Sequence, residues 1–424
     1  MQKEDFIRIL SDQKAEIEAI NINKYCARRE EEQFDFDSTL AQIVIGVRRC
    51  GKSTLCIKVL KQKNINFIYV NFDDERLSSL TKDDLNVLLE AAYIVYGDTD
   101  YMFFDEIQNV PQWHLFINRL LRQNLHLFIT GSNAKLLSGE LSTYLTGRYN
   151  EIVLFPFSFA EYCSVKHIDT EQKTTKSAAL LTKALAEYLA DGGLPETVNV
   201  KNKRKYVMSL LNSIIKKDIS QRFKIRYTEA LNNMANHLIN NFSQEVVINK
   251  LKDIFSFGSS HTAENYYSHL KEAYLLLGLK KFSFKSRERI YNEKAYVVDL
   301  SFVSQRTDNF SAENWGWRLE NAVYVELLRR CNPLSLDIFY AKDGYEIDFL
   351  VTQAGHTEQL IQVCWSLSSK KTYNREVNAL VKGAEKYHCE DLLLITMNDA
   401  SVVEIGGHKI KIVNAEWWFL EDKV

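Results

Sequence analysis

From Leu40 to about Tyr162 the chain alternates short apolar runs with helical stretches, and this alternation most constrains the fold. The runs are LAQIVIG, NFIYVNF, YMFFDE, LHLFITGS and NEIVLFPF. Helical patterns lie between them, at about Lys82 to Tyr93 and Gln112 to Arg122. Strands that are apolar on both faces and separated by helices predict a parallel sheet covered on both sides. In such sheets ligands bind at the carboxyl edge of the strands. The residues just after each run are therefore the first place to look for chemistry.

The first run ends in IGVRRCGKSTL, which contains Gly46-x-x-x-x-Gly51-Lys52-Ser53. Strand, glycine-rich loop, then helix is the context that a phosphate-binding loop requires. Its glycines let backbone N–H groups turn inward, and the following helix points its positive end at the phosphates. Gly46, Arg49, Cys50, Gly51, Lys52, Ser53 and Thr54 are the candidate nucleotide contacts. Lys52 is placed for the β and γ phosphates of ATP, and the Ser53 hydroxyl for Mg²⁺. The third run supplies the partner, with Asp105 and Glu106 at its carboxyl end. Asp105 is expected in the Mg²⁺ shell, and Glu106 is expected to polarise the attacking water. An adjacent Asp-Glu pair favours hydrolysis over transfer to a second substrate. The fourth run ends in TGSN, where Ser132 or Asn133 would sense the γ phosphate or simply cap a turn. Arg148, presented by Gly147 before the fifth run, is a candidate for stabilising charge on the transferred phosphoryl group.

Composition narrows the partners. The net charge is −2, so no global field favours nucleic acid. Seven cysteines form no C-x-x-C pair, which argues against a metal framework or disulfides and for a reducing compartment. The N-terminus MQKEDFIRIL is charged and lacks a signal-peptide run. No apolar stretch approaches the roughly 18 residues of a membrane span. The expectation is a cytoplasmic protein with no membrane partner.

Beyond the sheet, a polar stretch KHIDTEQKTTKSA precedes helices at about Leu180 to Ala190 and Lys203 to Phe223. Three more helical patterns follow from Glu229 to Leu277, then two short strands around KSRERI. That order predicts a winged helix. Its last helix, Ser260 to Leu277, would present His261, Asn265, His269 and Lys271 to DNA if the domain reads DNA, the alternative being a lid or protein-contact module with a solvated hairpin. Lys280, Lys281, Lys285, Arg287 and Arg289 would meet phosphates in a salt-dependent way. From about Asn314 a third, mixed α/β region begins.

These stretches together resemble bacterial and archaeal AAA-type ATPases that carry a C-terminal domain of unknown function, within the wider AAA+ and STAND group. The residues that carry the likeness are IGVRRCGKSTL, YMFFDEIQNVPQW, FITGSNAKLLSGELSTYLTGRYNEIVLFPFSFAEY and DGGLPETV. The resemblance implies that Arg148 is an arginine finger supplied by a neighbouring subunit, hence a homo-oligomer. It also implies that Gly193 and Pro195 touch the nucleotide. Without the family, GGLP reads as a helix stop and a turn. The last region resembles the PD-(D/E)xK nuclease core, with Glu320 on a helix and Asp348 on a strand two residues after Glu346. The expected Glu-x-Lys is replaced by Gln362, Val363 and Cys364, and Lys370 and Lys371 lie further on. A degenerate, non-cutting domain is expected.

The fold expected is therefore α/β: a P-loop NTPase parallel-sheet core, a helical and winged-helix segment, and a restriction-endonuclease-like domain. The boundaries are 1–35 for an N-terminal helix and lead-in, 36–165 for the ATPase core, 166–305 for the helical lid and winged helix, and 306–424 for the nuclease-like domain. Mg²⁺-dependent ATP hydrolysis would drive a conformational switch passed to the C-terminal domains. A DNA-acting ATPase with residual nuclease activity, and a slow nucleotide-gated scaffold for a protein partner, stand as alternatives.

Overall fold

The computed structural model describes residues 1–131, 145, 147–171, 174–283, 292–304 and 314–421. They form two compact units: Met1–Leu154 with Glu272–Tyr274, and Phe155–Lys271 with Leu275–Val424.

The first unit is built on five strands: β1 (Ala41–Ile45), β2 (Ile68–Asn71), β3 (Tyr101–Asp105), β4 (His126–Gly131) and β5 (Tyr149–Val153). Their order is β2-β3-β4-β1-β5, and every pairing is parallel. The all-apolar runs are explained by burial: every residue of β1 is buried, as is all of β3 except its first. The helices are α1 (Lys3–Ala19), α2 (Lys52–Gln62), α3 (Leu85–Tyr96) and α4 (Trp113–Leu121). In α1 the buried face is Phe6, Ile9, Leu10, Gln13 and Ile17. The one polar member, Gln13, bonds both backbone groups of Asn71 and the Asp74 carboxylate, so burying it leaves no amide unmet.

The polar lead-in before β1 is a strap. Residues Arg29–Gln33 form a short 3₁₀ turn. Lys58 of α2, 6% exposed, donates to the Cys26 carbonyl at 2.8 Å and to Glu31 Oε1 at 2.6 Å. The same oxygen accepts the Arg28 N–H at 2.7 Å.

In the second unit, helices Thr228–Asn240, Ile248–Ile254 and Ser260–Glu272 accompany a three-stranded antiparallel sheet of β6 (Gln244–Val246), β7 (Leu276–Lys280) and β8 (Glu293–Val297), in the order β6-β8-β7. The second of the two short strands expected around KSRERI ends at Val297. Asp299 breaks it by accepting N–H groups from Ser301 at 2.9 Å and Gly193 at 2.7 Å, and a short helix Ser301–Ser304 follows.

The second sheet of this unit contains β9 (Asp337–Lys342), β10 (Glu346–Gln353), β11 (His356–Cys364), β12 (Leu392–Thr396), β13 (Ser401–Ile405) and β14 (His408–Asn414). The order is β13-β14-β12-β11-β10-β9, parallel only at β11–β12 and β12–β14. Helices Trp315–Cys331 and Lys370–Tyr387 pack on it. Among the described residues no helix is long and apolar enough to cross a membrane.

Candidate nucleotide site and a second carboxylate cluster

The loop after β1 is shaped by two glycines with left-handed backbones. Gly46 has φ +146°, and a Cβ there would stand 2.1 Å from the Leu154 carbonyl oxygen where the chain leaves β5. Gly51 has φ +102° and opens α2. Between them Arg49 also takes positive φ, at 70°. Cys50 is fully buried, its N–H closes a turn onto the Val47 carbonyl at 3.3 Å, and burial pushes its thiol pKa up. Its place is therefore structural. Arg28, from the strap, donates to the Cys50 carbonyl at 3.3 Å.

Lys52 is 5% exposed, and its Nζ bonds the Gly46 and Val47 carbonyls at 3.1 and 3.2 Å, which keeps the amine in the loop's concavity. Ser53 and Thr54 are half-buried on the first turn of α2. The Ser53 hydroxyl donates to Asp105 Oδ1 at 2.9 Å. The structure thus brings together the loop serine and the β3 aspartate, which are 52 positions apart.

Two partners of Asp105 are not apparent from the sequence pattern. Thr130, at the end of β4, donates to Oδ1, and Tyr69 of β2 donates to Oδ2 at 3.2 Å. The strand order accounts for this: β3 lies between β2 and β4, so their carboxyl ends flank its acid. Burial, then the neighbouring Glu106, raises the Asp105 pKa to about 6, against the hydroxyl donors and Lys52. The donors that converge here are all oxygen, which suits a hard cation such as Mg²⁺.

Glu106 follows in a left-handed conformation, φ +56°. Its N–H is shared between the Thr130 carbonyl and hydroxyl, each at 3.2 Å. A non-glycine residue in this region is strained, and such strain gathers at functional positions. The turn swings the side chain off the strand axis, beside Gln108.

Arg148 is exposed at the turn before β5. Its carbonyl accepts the Ala41 N–H, and Tyr149 pairs with Ala41 while Val153 pairs with Ile45. Arg148 therefore stands at the amino edge of the sheet, opposite the loop, roughly 15 Å away along β5. Ser132 and Asn133 lie outside the described residues, as do Lys285, Arg287 and Arg289.

In the second unit the GGLP element is a helix stop. Helix Thr175–Asp191 ends at Gly192, φ +79°, and Pro195 starts a 3₁₀ turn. A Cβ on Gly192 would fall 2.1 Å from Asp299 Oδ1, and one on Gly193 would fall 2.4 Å from the Phe157 carbonyl. Both glycines are needed for close approach.

Of the four residues expected on the exposed side of the helix Ser260–Glu272, two are engaged. His261 and Asn265 are exposed. His269 stacks on Phe223 with centroids 3.6 Å apart, and Lys271 pairs with Glu293 at 2.7 Å. A half-buried ring and a paired ammonium correct the expectation that all four face outward.

The last sheet carries a cavity of about 1190 Å³ whose lining includes Glu320, Glu346, Asp348, Gln362 and Glu376. Lys294 of β8 pairs with two of these carboxylates, 3.2 Å from Glu320 and 2.6 Å from Glu346. Tyr296 also donates to Glu320 at 2.7 Å. Gln362 occupies the centre, donating to Glu376 at 2.7 Å and the Glu346 carbonyl at 3.2 Å, and accepting the Asp348 N–H at 2.7 Å. The Val363 N–H reaches Asp348 at 2.8 Å. Burial, then Glu320, raises the Asp348 pKa. Among the described residues, no group of three or more His, Cys, Asp or Glu side chains is arranged to hold a metal ion.

Residues 38–163 match the model of an AAA domain, and residues 182–313 match a domain of unknown function. An uncharacterized protein of Methanocaldococcus jannaschii is 34% identical over 398 residues, covering 89% of this chain and 88% of that one. One from Haemophilus influenzae is 30% identical over 400 residues, covering 91% and 95%. Among solved structures, the Walker-type ATPase of Pyrococcus abyssi aligns at 14% identity and a TM-score of 0.42, over 66% of this chain and 95% of that one.

Proposed function

Since the chain belongs, with these archaeal and bacterial relatives, to a family and carries an AAA domain, we propose that it binds Mg·ATP and hydrolyses it. The observation that carries this reading is the convergence of the loop hydroxyl of Ser53 and the buried Asp105, with Glu106 next in the chain. The loop N–H groups and Lys52 would hold the phosphates, with Arg49 and Thr54 contributing from the loop and the first helical turn and buried Cys50 keeping the loop's shape. Ser53 and Asp105 would hold Mg²⁺, which when bound neutralises charge on the β and γ phosphates. Glu106 would accept the proton of the attacking water as its oxygen bonds to phosphorus and the bond to ADP breaks. Arg148, at the far sheet edge, would serve the site of a second copy of the chain, so that hydrolysis depends on assembly.

The conformational change that accompanies hydrolysis would be passed to the second unit. There the helix–sheet arrangement around β6–β8 is read as a winged helix, and the β9–β14 domain as nuclease-like. Its carboxylates are engaged by Lys294, Tyr296, Gln362 and the Val363 N–H, which favours binding or signalling over cleavage.

Glu106→Gln tests the central claim. The variant keeps ATP affinity and loses turnover by about 10²- to 10⁴-fold, the range for removal of a general base. Unchanged turnover would sink the role. Loss of ATP binding in Lys52→Ala is the companion result.

A further inference from the structure

Gln108 lies two residues beyond Glu106, on the turn that follows β3. Its Nε2 donates to Glu106 Oε2. Its own carbonyl, Oε1, is shut off from solvent and has no hydrogen-bond partner among the described residues. Exchanging the amide's two ends would set that oxygen against a carboxylate, so the observed orientation is the one electrostatics allows. A buried carbonyl left unmet costs stability. A residue that tolerates this cost in order to grip a neighbouring acid is a candidate for work on that acid.

The backbone beneath the pair is fixed from three sides. Thr130 of β4 holds the Glu106 N–H. The turn Ile107–Asn109 closes through the bond from the Asn109 N–H to the Glu106 carbonyl, at 3.1 Å. The Asn109 side chain reaches the Phe72 carbonyl, just past β2, at 3.2 Å, and Ile107 is fully buried. A glutamate side chain has three rotatable bonds, and a charge-assisted hydrogen bond to one carboxylate oxygen restricts them.

We propose that Gln108 is a positioning residue for hydrolysis: its amide holds the Glu106 carboxylate in the orientation from which it accepts the proton of the attacking water. The inference rests on the hydrolytic role given to Glu106. It goes beyond that role by assigning the group that aims the base. The left-handed turn at Glu106 is what makes an i, i+2 contact geometrically available, since on a strand these two side chains would share a face without this approach, and on a helix they would diverge.

Steady-state ATPase rates of the full chain test this, using wild type, Gln108→Ala, Gln108→Met, Glu106→Gln and the double variant Glu106→Gln/Gln108→Ala. Methionine keeps the side-chain volume but has no donor, so it separates loss of the bond from loss of packing. Expected is a fall in kcat of about 10- to 100-fold for both Gln108 variants, the scale of a misoriented group. KM, affinity for a fluorescent ATP analogue and melting temperature stay within about twofold or a few degrees of wild type. In the Glu106→Gln background, Gln108→Ala causes no further loss, because the residue acts through the base. The proposal is overturned if either Gln108 variant matches or exceeds wild-type kcat, if Gln108→Met is as active as wild type while Gln108→Ala is not, or if the two losses multiply. Wild-type protein without ATPase activity would overturn both this inference and the role of Glu106. Active wild type with an inactive Glu106→Gln variant, but an unaffected Gln108→Ala, overturns this inference alone.

Discussion

Replacing Lys58 with methionine should release the strap that lies against the phosphate loop. The ion pair with Glu31 is 2.6 Å long, with side chains 7% and 16% exposed. At an effective dielectric near 20 its gross Coulomb energy is about 6 kcal/mol, most of it offset by desolvation. Breaking a fully buried pair costs about 3–5 kcal/mol, and an exposed pair contributes about 0–1 kcal/mol. Glu31 retains some contact with water, so the expected cost falls between, at about 2–3 kcal/mol. Removing the amine also takes away a donor to the Cys26 carbonyl. The loss should be local, so hydrogen exchange of peptides spanning 26–33 is the appropriate assay. A change of that size speeds exchange by roughly 30- to 150-fold where opening is local. The double variant Lys58→Met/Glu31→Gln should regain part of the protection, because the stranded charge is gone while the amide oxygen still accepts the Arg28 N–H. Less than about threefold faster exchange in Lys58→Met, or no recovery in the double variant, would refute the strap as a charge-held element.

Two further outcomes follow from the geometry. If Arg148 serves a neighbouring copy, Arg148→Ala and Lys52→Ala proteins are each inactive alone, yet regain ATPase activity when mixed, because each supplies what the other lacks; mixtures that stay inactive while assembling normally would count against it. The β9–β14 domain should not cut DNA with Mg²⁺ or Mn²⁺, and cleavage that disappears in both Asp348→Ala and Lys294→Ala would reverse that reading.

The core sheet was legible because β1 to β4 are mostly apolar and buried, and because loop and acid are each written in consecutive residues; β5 is half polar, and only its end falls in the apolar run IVLF. The pairs that tune the site were not. Tyr69 and Thr130 meet Asp105 only through the strand order, which no local pattern encodes. Gln108 stood within the stretch that drew attention, but its contact depends on a left-handed residue that strand periodicity does not anticipate. The strap read as a polar lead-in because Lys58 and Glu31 are 27 positions apart. The pairing of Lys294 with Glu320 and Glu346 was hidden for the same reason, since β8 lies far from both acids in the sequence. One signal was overlooked. Gly406–Gly407, between the alternating SVVEI and HKIKI, marks a two-residue hairpin, and both glycines have positive φ.

The placement of Arg148 bears on how such a site is controlled. In a parallel sheet the loop, Asp105 and Glu106 must share the carboxyl edge, since each follows the end of its strand. A residue that precedes a strand stands at the other edge. Arg148 precedes β5, whose register with β1 is fixed residue by residue from Ala41 to Ile45. No rotamer of one side chain crosses a five-residue strand, because an extended arginine reaches about 7 Å and the gap is roughly 15 Å. If this arginine acts in hydrolysis, it acts on another molecule. A base gripped by Gln108 within the chain and a cation supplied from outside it would divide control in two: one part built into the fold, the other present only in the assembly.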